Sequence, residues 1–385
     1  MLVRTVWLTD FRSYPSATLT LAPGLTAVLG DNGRGKSNLL EAVAWPATLS
    51  SFRGAPTEAL VRAGTERAVV RADGTRDGRD VLIETELSVT GRNRVQVNKQ
   101  RLARTRDLLG ALRVTVFAPD DLELVKSGPG GRRRYLDDAL VSLHPRHDAL
   151  RTELDKVLRQ RNALLKQVQG SGSRLDASAA LTLDVWDAKL AEVGDALGAA
   201  RAALVERLEP ALEAAYRAVA VGSDVRSRVT ARYSSPWFAG AGGPGLAAAL
   251  AAGRRDDIRR GVSLVGPHRD DLALTLGGLA TRTHASQGEQ RSLALALRLA
   301  AHAVVTATVG SAPVLLLDDV FSELDERRSD ALLATLAPGQ TLLTSAVGLP
   351  RGARPDAVLR VEAVDAAAGG VTSSITGPPP AAAAS

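Results

Sequence analysis

Short apolar runs and alternations dominate the first third of the chain. Residues 3–8 and 18–21 alternate apolar and polar positions, which predicts two strands with Pro15 in the turn between them. Residues 25–29 (LTAVL) form a continuous apolar run that stops at Gly30, the pattern of a buried strand. Residues 38–44 carry a helical pattern that Pro46 should stop. Residues 81–89 (VLIETELSV) predict another strand, and residues 91–98 a hairpin return from it.

After Pro119 the period changes from two to that of a helix. Residues 135–143, 147–169 and 181–219 predict helices, with a break at residues 170–173. Leu150, Leu154, Val157, Leu158, Leu164 and Leu165 keep one apolar stripe. This helical lobe is too short to form a long coiled-coil arm. Alternation resumes over residues 225–233, and the Pro/Gly/Ala-rich residues 234–253 are expected to form a flexible loop. Residues 271–276 and 279–283 flank Gly277-Gly278, a hairpin signal. A helix from Gln287, a strand at residues 314–317, a helix from Asp325 and a strand at residues 340–344 follow. From about Val364 the tail, ending GPPPAAAAS, is expected to be unstructured and dispensable.

One segment carries specific chemistry. Gly30-Asp31-Asn32-Gly33-Arg34-Gly35-Lys36-Ser37, followed by Asn38, matches the phosphate-loop pattern G-x-x-x-x-G-K-[ST] between a strand and a helix. The glycines let backbone amides turn inward, and those amides with the helix N-terminus suit a triphosphate. Lys36 is placed to reach the β- and γ-phosphates, and Ser37 to ligate Mg²⁺. The acidic partner of such a loop, Asp318-Asp319 after Val314-Leu315-Leu316-Leu317, comes about 280 residues later. On its own this Asp pair could be a helix cap. Beside a phosphate loop, Asp318 reads as a metal holder and Asp319 as the base or orienter of attacking water.

Ser286-Gln287-Gly288-Glu289-Gln290-Arg291 has two readings. Ser286 with Glu289 three residues on is a capping box. A Ser hydroxyl beside free amides at a helix N-terminus is also a phosphate-binding device.

Composition narrows the class. The 385 residues, 45% hydrophobic and 23% charged, fit a globular protein of two domains. Cysteine is absent, which excludes disulfides and thiolate metal sites. The N-terminal MLVRTVWLTDFRSY lacks the apolar run of a signal peptide, and residues 292–310, the most apolar stretch, contain Arg298 and His302. That stretch reads as a buried helix, so no membrane association and a cytoplasmic location are expected. The net charge is +6 and almost all of the basic residues are Arg. Either a GC-rich genome or polyanion binding accounts for this.

Two basic clusters sharpen the second option. Arg92, Arg94, Lys99, Arg101, Arg104 and Arg106 fall in one stretch almost free of acids, and Arg132-Arg133-Arg134 forms another. Each reads as a solvated face or, if the clusters line one surface, as a set of phosphate contacts. Aromatics are only 3% of the chain and Tyr135 alone lies beside a cluster, so stacking on unpaired bases is poorly supplied. Duplex backbone binding is the reading this favours.

The order of parts resembles the ATP-binding-cassette class and, within it, the RecF family, related to SMC and Rad50 heads. Five segments carry the resemblance: residues 8–14 (LTDFRSY), residues 117–126 with 132–137, residues 266–272 (GPHRDDL), the Ser286 hexapeptide, and residues 317–325 (LDDVFSELD). They span about 320 residues in family order. The resemblance implies an α/β fold: an ABC-type P-loop ATPase head with a mixed sheet and an inserted, mainly helical second lobe. The head would comprise residues 1–118 and 225–362, the lobe residues 119–224, and a disordered tail residues 363–385.

The resemblance also implies roles. ATP and Mg²⁺ would be the cofactors, held by the loop with Ser37 and Asp318, and Asp319 would serve hydrolysis. Ser286, Gly288 and Gln290 would meet ATP bound to a second copy, and residues 322–325 would face the dimer partner. Thr344 or Ser345 would sense the γ-phosphate, and Arg12 would approach the nucleotide. Gln96 and Gln100 are the candidates for a glutamine loop. A second Asp where transporters have Glu, and the lack of a His after the last strand, imply slow hydrolysis. The implied function is an ATP-dependent DNA-binding protein that dimerises on ATP and acts with RecR and RecO to load RecA in recombinational repair. An SMC- or Rad50-type chromosome head, a transporter-type ATPase and a small-molecule P-loop kinase are the alternatives. They are disfavoured respectively by the short helical middle, by the RecF-like segments with the basic balance, and by the absence of convergent acids in the middle region.

Overall fold

A computed structural model describes residues 1–171, 175–220, 228–336, 339–365 and 371–377. In chain order, β1 (Leu2–Phe11), β2 (Tyr14–Thr20), β3 (Leu25–Leu29), α1 (Lys36–Thr48), β4 (Arg67–Arg76), β5 (Arg79–Ser88), β6 (Arg94–Val97), β7 (Gln100–Arg101) and β8 (Val114–Phe117) come first. The helices α2 (Glu123–Lys126), α3 (Pro129–Leu143), α4 (His147–Gly170) and α5 (Ala177–Val219) follow. Then come β9 (Val229–Ser234), α6 (Leu246–Arg260), β10 (Asp271–Leu276), β11 (Leu279–Ala280), α7 (Thr281–His284) and α8 (Gln287–Val309). The chain closes with β12 (Val314–Leu317), α9 (Glu326–Thr335), β13 (Thr341–Ser345), β14 (Ala357–Asp365) and β15 (Val371–Thr376).

The chain divides into two compact units. The first comprises Met1–Leu122, Ala214–Val225 and Arg291–Ser385, and the second Glu123–Glu213 and Arg226–Gln290. The second unit thus takes in residues 226–290, beyond the 119–224 expected for an inserted lobe.

The first unit is built on two six-stranded sheets, ordered β2-β1-β4-β5-β6-β7 and β15-β14-β3-β13-β12-β8. The first sheet is antiparallel throughout. In the second, β14, β3, β13, β12 and β8 are parallel and only β15 runs against its neighbour, so the sheet is mixed. One apolar core joins both sheets to α1, through Val6, Leu8, Leu19, Val28, Leu39, Trp45, Val70, Leu316 and Leu342 among others. The β1–β4 register shifts between Val3 and Thr5. Such an irregularity leaves backbone groups in need of partners. Gln340, 4% exposed, supplies them: its Oε1 accepts from Val3 N at 2.8 Å and its Nε2 donates to Val3 O at 2.6 Å. A further bond from Nε2 reaches Ala22 O at 2.9 Å.

The second unit packs α3, α4 and α6 with a three-stranded antiparallel sheet, β11-β10-β9. Buried ion pairs fasten it. Arg201 grips Asp137 with two bonds of 2.8 Å and donates to Pro267 O at 2.7 Å. Arg161, fully buried, meets Asp187 at 2.6 Å and Asp257 at 2.7 Å. Asp270 accepts from Trp237 Nε1 at 2.8 Å and from Tyr233 Oη.

Several expectations need correction. Pro15 lies inside β2, and the turn falls at Arg12-Ser13. Helix α1 runs through Pro46 to Thr48. Only two residues follow the proline, so it costs one intrahelical bond, to Ala42 O, near the end of the helix. The region 234–253 is not all loop, because α6 starts at Leu246. Its alanines favour helix, and Leu246, Leu250 and Ile258 bury one face. The tail expected to be unstructured from Val364 instead contributes the end of β14 and all of β15, paired from Arg360↔Thr376 to Asp365↔Val371. Residues 378–385, with the GPPPAAAAS run from Pro378 on, lie outside the described residues. Helix α8 is long and apolar enough to span a membrane, but its Leu293, Ala294, Leu295, Ala296, Leu297 and Ala300 are buried within the protein.

Candidate active site

Parallel strands deliver their carboxyl ends to one edge, where α/β sheets gather their ligands. Here β3 ends in the phosphate loop, β13 ends at Thr344-Ser345, and β12 ends at Asp318. The register sets Ser345 level with Leu29 and Leu343 level with Leu317. Thr344 therefore stands between the loop strand and Asp318. Its Oγ1 donates to Asp318 Oδ1 at 2.7 Å and accepts from Asp319 N at 2.9 Å. Ser37 Oγ donates to the same Asp318 oxygen at 2.8 Å.

The loop has the backbone its glycines predict. Gly30, Gly33 and Gly35 have φ of 157°, 77° and 105°. At Gly35 a Cβ would sit 2.5 Å from Ser373 Oγ and 2.8 Å from Ser13 Oγ, so only glycine fits. Lys36, 6% exposed, donates to Asp31 O at 2.8 Å. Burial lowers the pKa of its ammonium, and the nearby charges of Asp319, Asp318 and Asp31 pull it back up. Burial raises the Asp318 carboxyl above the ordinary 3.8, against hydrogen bonds from Thr344 and Ser37. Asp31, Asn32, Gly33 and Arg34 form the exposed rim of the loop. Asn38 Nδ2 donates to Ser13 Oγ at 2.9 Å.

Asp319 adopts a left-handed conformation, φ 49°, which Asp tolerates better than most residues. Ala346 N donates to its Oδ1 at 3.4 Å. A shallow cleft opens beside Asp318 and Asp319, lined by Phe117, Pro119, Leu122, Ala294 and Val320. Among the described residues no three His, Asp or Glu cluster as a metal cage. The donor set at the loop is of a different kind. A hydroxyl and a carboxylate oxygen 2.8 Å apart suit a small hard cation that takes its remaining ligands from phosphate and water.

The other candidates have partners of their own. Ser286 and Glu289 form the capping box, with Ser286 N donating to Glu289 Oε2 at 2.7 Å and Glu289 N to Ser286 Oγ at 3.3 Å. Ser286 is exposed, Gly288 partly so, and Gln290 is buried with its Nε2 on Ala285 O at 2.9 Å. Arg12 is engaged by Glu41, a fully buried carboxylate on α1, through bonds of 2.8 and 2.9 Å. Ser322 Oγ returns to Asp319 O at 2.7 Å, and Asp325 caps α9 through Arg328 N. Ser345 Oγ donates to Gly348 O at 2.5 Å. Gln96 and Gln100 lie on β6 and β7, at the far edge of the antiparallel sheet.

The basic clusters part company. Arg92, Arg94, Lys99, Arg101, Arg104 and Arg106 are all exposed on and around the β6–β7 edge. The Arg132-Arg133-Arg134 cluster is not a free patch. Arg132 is buried and holds Asp271 with bonds of 2.7 and 2.9 Å, Arg133 donates to Asp270 O at 2.8 Å, and only Arg134 is exposed. Helix α3 packs on β10, which turns two of the three guanidiniums inward. Tyr14 and Ser373 donate to loop carbonyls from behind, and Ser13 lies against the Ser373 hydroxyl. Ser13 and Tyr14 fall in the 8–14 segment, but nothing there assigned them a role, and Ser373 falls in the tail expected to be unstructured. Hydroxyls carry no motif of their own, and only their placement beside the loop identifies them.

The family model described as RecF/RecN/SMC N terminal domain matches residues 2–343. A protein of Arthrobacter sp., "DNA replication and repair protein RecF", is 44% identical over 90% of this chain and 94% of its own length. One of the same description from Kineococcus radiotolerans is 45% identical over 94% of this chain and 97% of its own. Among solved structures, the "recombination mediator protein RecF-ATPrS in RecFOR pathway" superposes with a TM-score of 0.83 at 28% identity, covering 96% of this chain and 97% of that one. An Smc head bound to the C-winged helix domain of ScpA reaches 0.56 at 17% identity over 98% of each chain, a likeness of fold.

Proposed function

The chain belongs to the RecF family, and from that premise we propose that it is an ATP-gated DNA clamp of recombinational repair. The observation that carries the reading is the Ser37–Asp318–Thr344 knot behind a phosphate loop of full pattern. Lys36 and the loop amides bind the triphosphate of ATP. Ser37 and Asp318 would hold Mg²⁺, which would supply neutralisation of the negative charge on the phosphates. Asp319 orients the attacking water. The short Asp side chain and the missing His keep hydrolysis slow.

ATP joins two copies, each offering Ser286 and the free amides of its α8 N-terminus to the other's γ-phosphate. The exposed Ser286 is consistent with that role. The closed dimer grips duplex or gapped DNA by its backbone. The exposed edge at Arg92, Arg94, Lys99, Arg101, Arg104 and Arg106 supplies the phosphate contacts. Arg132, buried, and Arg133, half-buried, take no part. By kinship with proteins of the RecFOR pathway, the clamp works in the cytoplasm with RecR and RecO to place RecA on gapped DNA.

Retention on gapped duplex with and without ATP, measured across a salt series, tests the whole reading. ATP-dependent retention that falls steeply with salt is expected. Retention indifferent to ATP would remove the clamp, and indifference to salt would remove the backbone contacts. For the dimer, Ser286→Arg should leave ATP binding by the monomer intact and abolish the ATP-dependent dimer in light scattering.

A further inference from the structure

A phosphate loop works only if its amides face the anion, so its carbonyls must face outward and find donors elsewhere. Three donors meet that need. Lys36 Nζ bonds Asp31 O at 2.8 Å, Tyr14 Oη bonds Gly35 O at 3.1 Å, and Ser373 Oγ bonds Arg34 O at 2.6 Å. Gly35 O also accepts from Asn38 N at 3.0 Å and Leu39 N at 3.3 Å, so it is held by α1 whether or not Tyr14 donates, whereas Arg34 O is held by Ser373. Ser373 lies on β15, near the other end of the chain, and is 4% exposed. Its backbone N also donates to Ser13 O at 2.9 Å.

The Ser373 and Ser13 hydroxyls lie 2.8 Å apart. One hydroxyl proton cannot serve both Ser13 and Arg34 O. The bonds therefore run in one direction: Asn38 Nδ2 to Ser13, Ser13 to Ser373, and Ser373 to the Arg34 carbonyl. Arg53 Nη1 heads the chain, donating to Asn38 Oδ1 at 3.2 Å. The polar chain begins on the first turn of α1 and ends on the peptide between Arg34 and Gly35.

We propose that Ser373 is a positioning residue for nucleotide binding: it holds the Arg34–Gly35 peptide with its carbonyl turned away from the phosphates. Gly35, at φ 105°, puts up little steric resistance to rotation of that peptide. Without an outward donor, the Arg34 carbonyl turns toward the anion site and repels it. The C-terminal hairpin β14–β15 is then part of the nucleotide site, not a dispensable tail. The proposal rests on the reading of this loop as the ATP site.

Full-length Ser373→Ala, Ser373→Cys, Ser373→Thr, Tyr14→Phe and Ser374→Ala are compared with the unaltered protein and with Lys36→Ala, by titration with a fluorescent ATP analogue and by thermal melting. Ser373→Ala is expected to weaken binding about 10-fold while the protein stays folded at the assay temperature, the scale of one buried acceptor left unpaired. Tyr14→Phe should bind nearly as the unaltered protein does, because Gly35 O keeps its two helix amides. Ser373→Thr keeps the hydroxyl and should recover most of the affinity. Ser374→Ala, on the same strand but outside the chain of bonds, should bind as the unaltered protein does. Normal affinity in a folded Ser373→Ala overturns the proposal, as does an equal loss in Ser374→Ala. If Ser373→Ala does not fold, normal affinity in Ser373→Cys, whose thiol is only a weak donor, overturns it instead. Binding by the unaltered protein that Lys36→Ala leaves untouched overturns the nucleotide reading itself, and this proposal with it.

Discussion

Ser37 Oγ donates to Asp318 Oδ1 across 2.8 Å, although 281 positions separate them along the chain. The bond exists because β3 and β12 flank β13 in one parallel sheet, and Thr344 of β13 closes the triangle at 2.7 Å. A carboxylate buried for the sake of a ligand is a load on the fold without that ligand.

Asp318→Asn should stabilise the nucleotide-free protein. Burial raises the Asp318 carboxyl above 3.8, so the native state keeps its proton to a higher pH than the unfolded chain does. Stability is therefore given up as pH climbs through that window and stays lost at neutral pH. The Asn variant is expected to melt higher than the unaltered protein at pH 7. The advantage should fade as pH falls through the carboxylate range, and Mg²⁺-dependent ATP binding should be lost. Thermal melts across pH, with and without Mg-ATP, check both halves.

Asp319→Asn should separate binding from hydrolysis. The position is left-handed, a conformation Asn adopts as readily as Asp, so the backbone is not strained. Single-turnover phosphate release should slow by about 100-fold or more, the contribution of a positioned base. The ATP-bound dimer should persist. Loss of ATP binding instead would make Asp319 a structural residue.

Acid should destabilise both units through buried imidazoles. His268 and His302 are each pushed down to about 4, mainly by burial. Both stay neutral in the fold while the unfolded chain takes up protons near 6.5. Stability is thus present above that value and lost as pH falls from about 6.5 toward 4, by about 3 kcal/mol for each residue. His302 Nδ1 lies 3.1 Å from Thr115 Oγ1, a contact glutamine can imitate. His302→Gln should flatten the pH dependence of melting, and an unchanged slope would assign the acid sensitivity elsewhere.

Arg201 is the fastening of the second unit. It is 2% exposed and carries three bonds, to both oxygens of Asp137 and to Pro267 O. Arg201→Met leaves Asp137 charged and buried, and should cost about 3–5 kcal/mol in chemical denaturation. The double variant Arg201→Met, Asp137→Leu should recover most of that loss. Failure to recover would show that the other partners of Arg201, Pro267 O and the buried Asp270 carboxylate 3.9 Å away, matter more than the Asp137 pair.

What the sequence determined by itself is local. The phosphate loop was legible because its glycines, lysine and serine act through their own backbone and neighbours. The capping box at Ser286 and Glu289, the glycine hairpin at Gly277-Gly278, and the helices α3, α4 and α5 were legible for the same reason: their periods and caps close within a few residues. Strands β4 and β14 were not. RAVVRADGTR and AVLRVEAVD alternate, but their exposed Arg and Glu positions leave too little apolar signal without partner strands. Arg132 looked like a solvent-facing charge until α3 and β10 met around it. The tertiary structure alone decided that Thr344 knots Asp318 to the loop, that Gln340 fills the irregularity at Val3, and that a serine near the C-terminus holds a carbonyl near the N-terminus. Those are hydrogen bonds between residues over 300 apart, or set by strand register, and no local pattern encodes which distant donor will satisfy which acceptor.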